Sequence, residues 1–184
     1  MPRKSKPAAP GAVPDVEAMI RVDHAGEYGA VRIYEGQLAV FKRRKGSGAS
    51  VEIIAHMAEQ EQRHLKAFDR LVLERGVRPT ALQPLWRIAG FALGAATAAL
   101  GEKAAFACTA AVEEAIDEHY GAQIAALDDN QKALKDQIED FRADEANHRS
   151  TAIAHGAERA VGYKLLNKTI KAGCRMAIKL SQRI

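Results

Sequence analysis

Cysteine is nearly absent: Cys108 and Cys174 are the only two in 184 residues. They stand far apart within apolar helical patterns, and neither has a second cysteine at metal-binding spacing. A disulfide scaffold is therefore excluded, a reducing compartment is the default, and both read as small buried hydrophobes. Aromatic residues are only 5% of the chain, and no stretch alternates with period two, which argues against strands. No Gly-x-Gly-x-x-Gly fingerprint is present, so a dedicated nucleotide-binding domain is not expected. No apolar run reaches the roughly 20 residues needed to span a bilayer. Met1 to Pro14 carries Arg3, Lys4, Lys6 and prolines without an apolar core or helical amphipathicity. It reads as a flexible basic tail rather than a secretory or transit signal. Residues 15–184 remain as one domain, a length able to bury a single core.

The formal net charge is +4 and the pI about 9.1. The cations gather at the N-terminus, around Lys42 to Lys45 and in the last helix. No aromatic or Gly-rich platform lies between them to stack bases, so nucleic acid is not expected as a partner. An anionic membrane surface suits that distribution better.

What the chain does contain is helix. Hydrophobic residues make up 47%, Ala is abundant, and the apolar periodicity is that of helices divided by clear punctuation. Asp15 is a plausible N-cap for a first helix running to about Arg44, with Ile20, Glu27, Tyr34 and Phe41 on one stripe. Gly46-Ser47-Gly48 stops it. Ser50 is expected to cap a second helix carrying Ile54, Met57, Glu61, His64, Phe68 and Leu71, ended by Gly76 and Pro79. A third runs from about Glu102 to Leu127 with Phe106, Ala110, Glu113, Ile116, Tyr120 and Ile124 aligned. A fourth, from about Gln131 to Gly156, aligns Leu134, Ile138, Phe141, Glu145, His148 and Ala152. An amphipathic segment from about Val161 to Ile184 closes the chain. Between the second and third helices, Ile88 to Gly101 holds no charge. Four other helices already suffice for a bundle core, so this run is expected to be a surplus apolar hairpin or helix at a membrane interface.

Glu61-x-x-His64 and Glu145-x-x-His148 are two Glu-x-x-His motifs on separate helices. Residues three apart share a helix face, so each motif can offer an oxygen and a nitrogen to one metal centre. Each also continues an apolar stripe, which a solvated acid would not. A faint internal repeat strengthens the reading: Glu27 is followed seven residues later by Tyr34, and Glu113 by Tyr120. Each Glu-Tyr helix precedes a Glu-x-x-His helix. One Glu from each of two helices, plus one Glu-x-x-His from each of two others, is the ligand set of ferritin-like di-iron or di-manganese bundles. The expected metal ligands are Glu27, Glu61, His64, Glu113, Glu145 and His148, with no catalytic residue beyond them. Four carboxylates balance two Fe(II) ions and imidazoles leave positions open for dioxygen. Glu114 is a rival to Glu113, and the tyrosine spacing selects Glu113. Tyr34 and Tyr120 are expected as near-site aromatics. Asp23, His24, Asp117 and Asp144 are candidates to orient the histidines, whereas His56, His119 and His155 fit no motif.

Arg21-Val-Asp-His-Ala-Gly-Glu-Tyr-Gly-Ala30, Arg32-Ile-Tyr34, Arg78-Pro-Thr80, Pro84-Leu-Trp86, Gly90-Phe-Ala-Leu-Gly94, Ala110-Ala-Val-Glu-Glu114 and Ala172-Gly-Cys-Arg175 resemble the signature strings of the demethoxyubiquinone hydroxylases. The similarity runs from Asp15 to the C-terminus. It implies a ferritin-like bundle peripherally bound to a membrane, hydroxylating a polyprenylated benzoquinol with O2. It also implies that Glu27 and His64 hold one iron, Glu113 and His148 the other, with Glu61 and Glu145 bridging. Electrons would come from a separate reductase, from NADH or from a reduced quinone. The resemblance further implies the cytoplasmic face of a bacterial inner membrane, or the matrix side of the mitochondrial one. An accessory lipid-binding protein and a homo-oligomer stay open. The alternative reading is a ferritin-like iron-storage or peroxide-scavenging bundle. The apolar Ile88 to Gly101 run and the lack of a Cys-x-x-Cys iron site argue against it.

Overall fold

The computed structural model describes residues 15–184, in six α-helices and two short 3-10 turns with no strand. The Met1 to Pro14 tail lies outside the described residues. The all-α, ferritin-like bundle expected from the sequence is the architecture found. Four helices form it: α1 (Val16–Phe41), α2 (Gly48–Glu74), α4 (Glu102–Ala126) and α5 (Lys132–Ala154). Asp15 caps α1, accepting from Ala18 N at 2.9 Å. The start of α2 differs from expectation. Ser47, not Ser50, is its N-cap residue, and Ser50 is buried one turn inside.

Short connections make α1–α2 and α4–α5 two helical hairpins. They face each other so that α1 runs antiparallel to α4 and α2 to α5. Buried Gln37 on α1 donates to Ala105 O on α4 at 3.2 Å. At the far end of the same pair, Gln123 donates to Asp23 at 2.8 Å. Two apolar clusters close the bundle. One holds Phe41, Ile54, Met57, Phe106 and Ala152; the other holds Ile20, Phe68, Leu134, Ile138 and Phe141. Each such fully buried Ile, Leu, Met or Phe contributes about 1.5–3 kcal/mol, and together the clusters keep water from the layer between them.

The apolar run is a single helix, α3 (Gln83–Leu100), rather than a hairpin. It is only partly surplus to the core. Gly36, Gly90 and Gly94 let it lie directly on α1: a Cβ on Gly94 would collide with the Ile33 carbonyl oxygen, and one on Gly90 would sit 2.9 Å from that of Gly29. The outer face stays bare, with Ile88 70% and Phe91 43% exposed. Gly101 alone separates α3 from α4, and its φ of 120° makes that corner glycine's. The last helix, α6 (Tyr163–Ser181), packs on α4. Trp86 Nε1 donates to Ser181 Oγ at 3.1 Å, tying the start of α3 to the end of α6. Among the described residues, no helix is long and apolar enough to cross a membrane.

Candidate metal centre

The sequence stripes of the four bundle helices converge on one buried layer. Glu27, Glu61, His64, Glu113, Glu145 and His148 are all at most 2% exposed. They form two overlapping groups, Glu27–Glu61–His64–Glu145 and Glu61–Glu113–Glu145–His148. In each group one donor atom per residue lies within 4.8 Å of the others, and Glu61 and Glu145 belong to both. Glu114 points elsewhere and meets Lys171 at 2.7 Å.

The histidines enter the centre through Nδ1. His64 Nδ1 lies 3.1 Å from Glu145 and 3.5 Å from Glu27. His148 Nδ1 lies 3.0 Å from Glu61 and 3.3 Å from Glu145. The opposite ring nitrogens are held across the α2–α5 interface. His64 Nε2 is 3.0 Å from Asp144 Oδ2, itself paired with Arg63. His148 Nε2 is 3.1 Å from Gln60 Oε1. Each partner stands immediately before the Glu of the other motif, so the two motifs brace one another's imidazoles.

Of the four residues expected to orient histidines, only Asp144 reaches a histidine of the centre. Asp23 pairs with His119 and Gln123, His24 with Asp69, and Asp117 with Arg142. Gln60 was not expected. Its position before Glu61, matching Asp144 before Glu145, is the signal that would have found it. Tyr34 and Tyr120 lie beside the centre. Tyr34 donates to Glu113 Oε1 at 2.7 Å, and Tyr120 to Glu27 Oε1.

The electrostatics show what this layer needs. Burial, reinforced by Glu145, holds the Glu61 and Glu113 carboxyls well above the ordinary carboxylate range. Burial also raises Glu145. Burial alone would lower His64, but contacts with Glu145 and Glu27 outweigh it and push the imidazole up to about 10. Burial lowers His148. Both oxygens of Glu61 and Glu145, one each of Glu27 and Glu113, and both Nδ1 atoms lack a hydrogen-bond partner. Orphaned buried acceptors aimed at one point are costly unless a cation accepts them. Four carboxylates and two imidazoles suit two divalent ions with hard ligand preferences.

An apolar groove of about 370 Å³ lies outside the α1–α4 pair, between α3 and α6. Its floor includes Gly26, Ala30, Val112 and Ile116, the helical neighbours of Glu27 and Glu113. Cys174 lines it and is half-buried, whereas Cys108 is wholly buried.

A family model described as ubiquinone biosynthesis protein COQ7 matches residues 14–181. The chain is 51% identical over 178 residues to the 3-demethoxyubiquinol 3-hydroxylase of Rhodospirillum rubrum, covering 97% of this chain and 82% of that protein. It is 51% identical over 172 residues to the mouse NADPH-dependent 3-demethoxyubiquinone 3-hydroxylase, mitochondrial, covering 91% and 77%. The 5-demethoxyubiquinone hydroxylase of Saccharomyces cerevisiae is 40% identical over 184 residues, covering 92% and 78%.

Proposed function

The chain belongs to the family of ubiquinone biosynthesis protein COQ7, and from that premise we propose that it is a di-iron 3-demethoxyubiquinol 3-hydroxylase. The carrying observation is the pair of four-ligand groups that share Glu61 and Glu145. Glu27 and His64 would hold one iron, Glu113 and His148 the other, with Glu61 and Glu145 between them. When bound, the irons supply reductive activation of dioxygen. The ring C–H, O2, two electrons and two protons become C–OH and water. The designation of the mouse and human relatives as NADPH-dependent supports a reduced nicotinamide nucleotide as the electron source.

The chain's own residues bind, orient and exclude water. The groove between α3 and α6 is lined by Ile33, Leu93, Val112 and Ile116, and accepts an isoprenoid quinol whose ring rests against the α1–α4 floor. The two apolar clusters exclude water above and below the ligand layer. Tyr34 and Tyr120 fix the carboxylates of Glu113 and Glu27, and Asp144 and Gln60 fix the imidazoles. A substrate with a lipid-soluble tail must arrive from a bilayer. The exposed faces of α3 and α6, with Ile88, Phe91, Leu165 and Met176, flank the groove mouth and support peripheral docking. The basic series expected to meet headgroups from α6 is smaller than its sequence suggests. Lys171 and Arg175 are engaged by Glu118, leaving Lys164, Lys168 and Lys179.

The reading is tested with purified protein loaded with Fe(II), given demethoxyubiquinol in vesicles, NADPH and isotopically labelled dioxygen. The product should be the ring-hydroxylated quinol carrying one labelled oxygen. Peroxide consumption or iron uptake without ring labelling would instead establish the storage or scavenging alternative.

A further inference from the structure

A second cavity, of about 910 Å³, lies at the end of the bundle where the α1–α2, α3–α4 and α5–α6 connections meet. We propose that it binds the phosphate of an anionic phospholipid. The proposal rests on the membrane-docked reading above and adds a specific headgroup site to it.

Four cations line the cavity from three separate parts of the chain: Arg44 and Lys45, Lys103, and Arg159. Glu102 is the one acid in the lining. Among the described residues, none of the four cations has an ion-pair partner. Unpaired cations occur on other faces too, beside paired ones such as Arg142 with Asp117 and Lys132 with Asp136; what sets these four apart is that they converge on one cavity with a single acid. The helices α2, α4 and α6 all begin at this cavity, behind Ser47, Gly101 and Gly162, and no side chain caps any of them. Their amide ends add positive potential to that of the side chains.

The same cavity has an apolar lip. Leu100, Val161 and Leu165 line it and are 76%, 101% and 72% exposed. They come from the end of α3 and from the approach and first turn of α6, the two helices that flank the quinol groove. An inorganic phosphate would satisfy only the cations, and an alkyl chain only the lip. A ligand with an anionic phosphate joined to acyl chains satisfies both. Seated there, it would fix the C-terminal end of α3 at headgroup level and hold the groove mouth towards the acyl chains.

The test uses the full chain and flotation with vesicles of phosphatidylcholine, alone or with phosphatidylglycerol. The wild type should bind the anionic vesicles more tightly. Lys103→Gln combined with Arg159→Gln should weaken that binding about thirtyfold, the effect of two headgroup-level charges, and leave binding to neutral vesicles unchanged. The control is Lys66→Gln with Arg70→Gln, exposed cations on α2, which removes the same charge and should lose far less. Melting temperature and iron content verify that both variants fold. Equal loss in the control would show diffuse attraction and overturn the site. Equal binding of neutral and anionic vesicles by the wild type would also overturn it, leaving docking intact. No binding to either would remove docking as well. In a calorimetric arm, short-chain phosphatidylglycerol should bind far more tightly than inorganic phosphate or NADPH. Comparable binding of those soluble phosphates would overturn the lipid assignment. No arm reads turnover, so the hydroxylase reading can fail separately.

Discussion

The Tyr34 hydroxyl donates to Glu113 Oε1 across 2.7 Å, from α1 to α4. Tyr120 returns the bond to Glu27, from α4 to α1. The Glu-Tyr repeat seen in each helix is therefore reciprocal, each tyrosine holding the glutamate of the other helix. Burial, with the charge of Glu113, pushes the Tyr34 phenol well above its ordinary range, so it remains a donor at any working pH. Tyr34→Phe should leave a buried carboxylate oxygen unpaired and cost the metal-free protein about 1–3 kcal/mol in denaturant unfolding. Iron content should persist, because Tyr34 is not a ligand. Unchanged stability would show that the bond adds nothing to the fold.

A second prediction concerns the braces on the imidazoles. Asp144→Ala frees His64 Nε2 and leaves Arg63 with Asp140 alone, whereas Gln60→Ala frees only His148 Nε2. Each should weaken metal binding about 10–100-fold, with the larger loss at Asp144, whose carboxylate is charged. Metal titration by calorimetry would measure both. Wild-type affinity in both variants would show that the packed helices alone orient the rings.

The bundle and its ligand stripes were legible because a 3.6-residue period and a seven-residue repeat are local patterns. Ile20, Glu27, Tyr34 and Phe41 needed only one helix to be seen on one face. What escaped depends on pairs far apart in sequence. Lys171 and Arg175 look like free headgroup contacts until α6 packs on α4 and brings Glu118 beside them. The segment of α3 read as surplus because four other helices already suffice for a bundle core. That its inner face belongs to the core follows from Gly36, Gly90 and Gly94, whose closeness to a neighbouring backbone only the packed pair reveals. Cap residues are a weaker local signal. Ser47 and Ser50 both suit an N-cap, and the chain path alone selects Ser47.

Proton linkage gives a prediction with a definite sign. In the metal-free protein Glu61, Glu113 and Glu145 are raised above the ordinary value of 4.5, and His64 is raised to about 10. His148, lowered by burial, opposes this only up to about its unfolded value of 6.5. The three raised acids and His64 leave the folded state with more protons than the unfolded one, so stability falls as pH rises above the unfolded values. Raised acids act from about pH 5 upward and His64 from about pH 6.5 to 10. Metal ligation needs the deprotonated forms, so metal binding strengthens over the same window. Scanning calorimetry should show the metal-free melting temperature falling from about pH 6 to pH 9, and the gain on loading iron widening. A metal-free melting temperature that rises over that interval would contradict the protonated, cation-starved centre.

The last prediction separates the bare face of α3 from its buried one. Ile88 and Phe91 are 70% and 43% exposed, and neither lines the quinol groove. Leu93, two residues on, lines that groove and packs with Ile33 and Val112, so a charge there would disturb the substrate cavity as well. Ile88→Asp combined with Phe91→Asp therefore changes the outer face alone. Burying such side chains in a bilayer contributes about 1.5–3 kcal/mol each, so the double variant should lose at least about a hundredfold in partition to phosphatidylcholine vesicles. Iron content should stay intact, because neither side chain belongs to the two ligand groups. Hydroxylation of a quinol embedded in vesicles should fall with the partition, while that of a short-tailed quinol in detergent should not. Wild-type flotation by the double variant would mean that this face does not meet lipid. The substrate would then have to reach the groove across the α6 side, where Val161, Leu165 and Met176 offer exposed apolar surface.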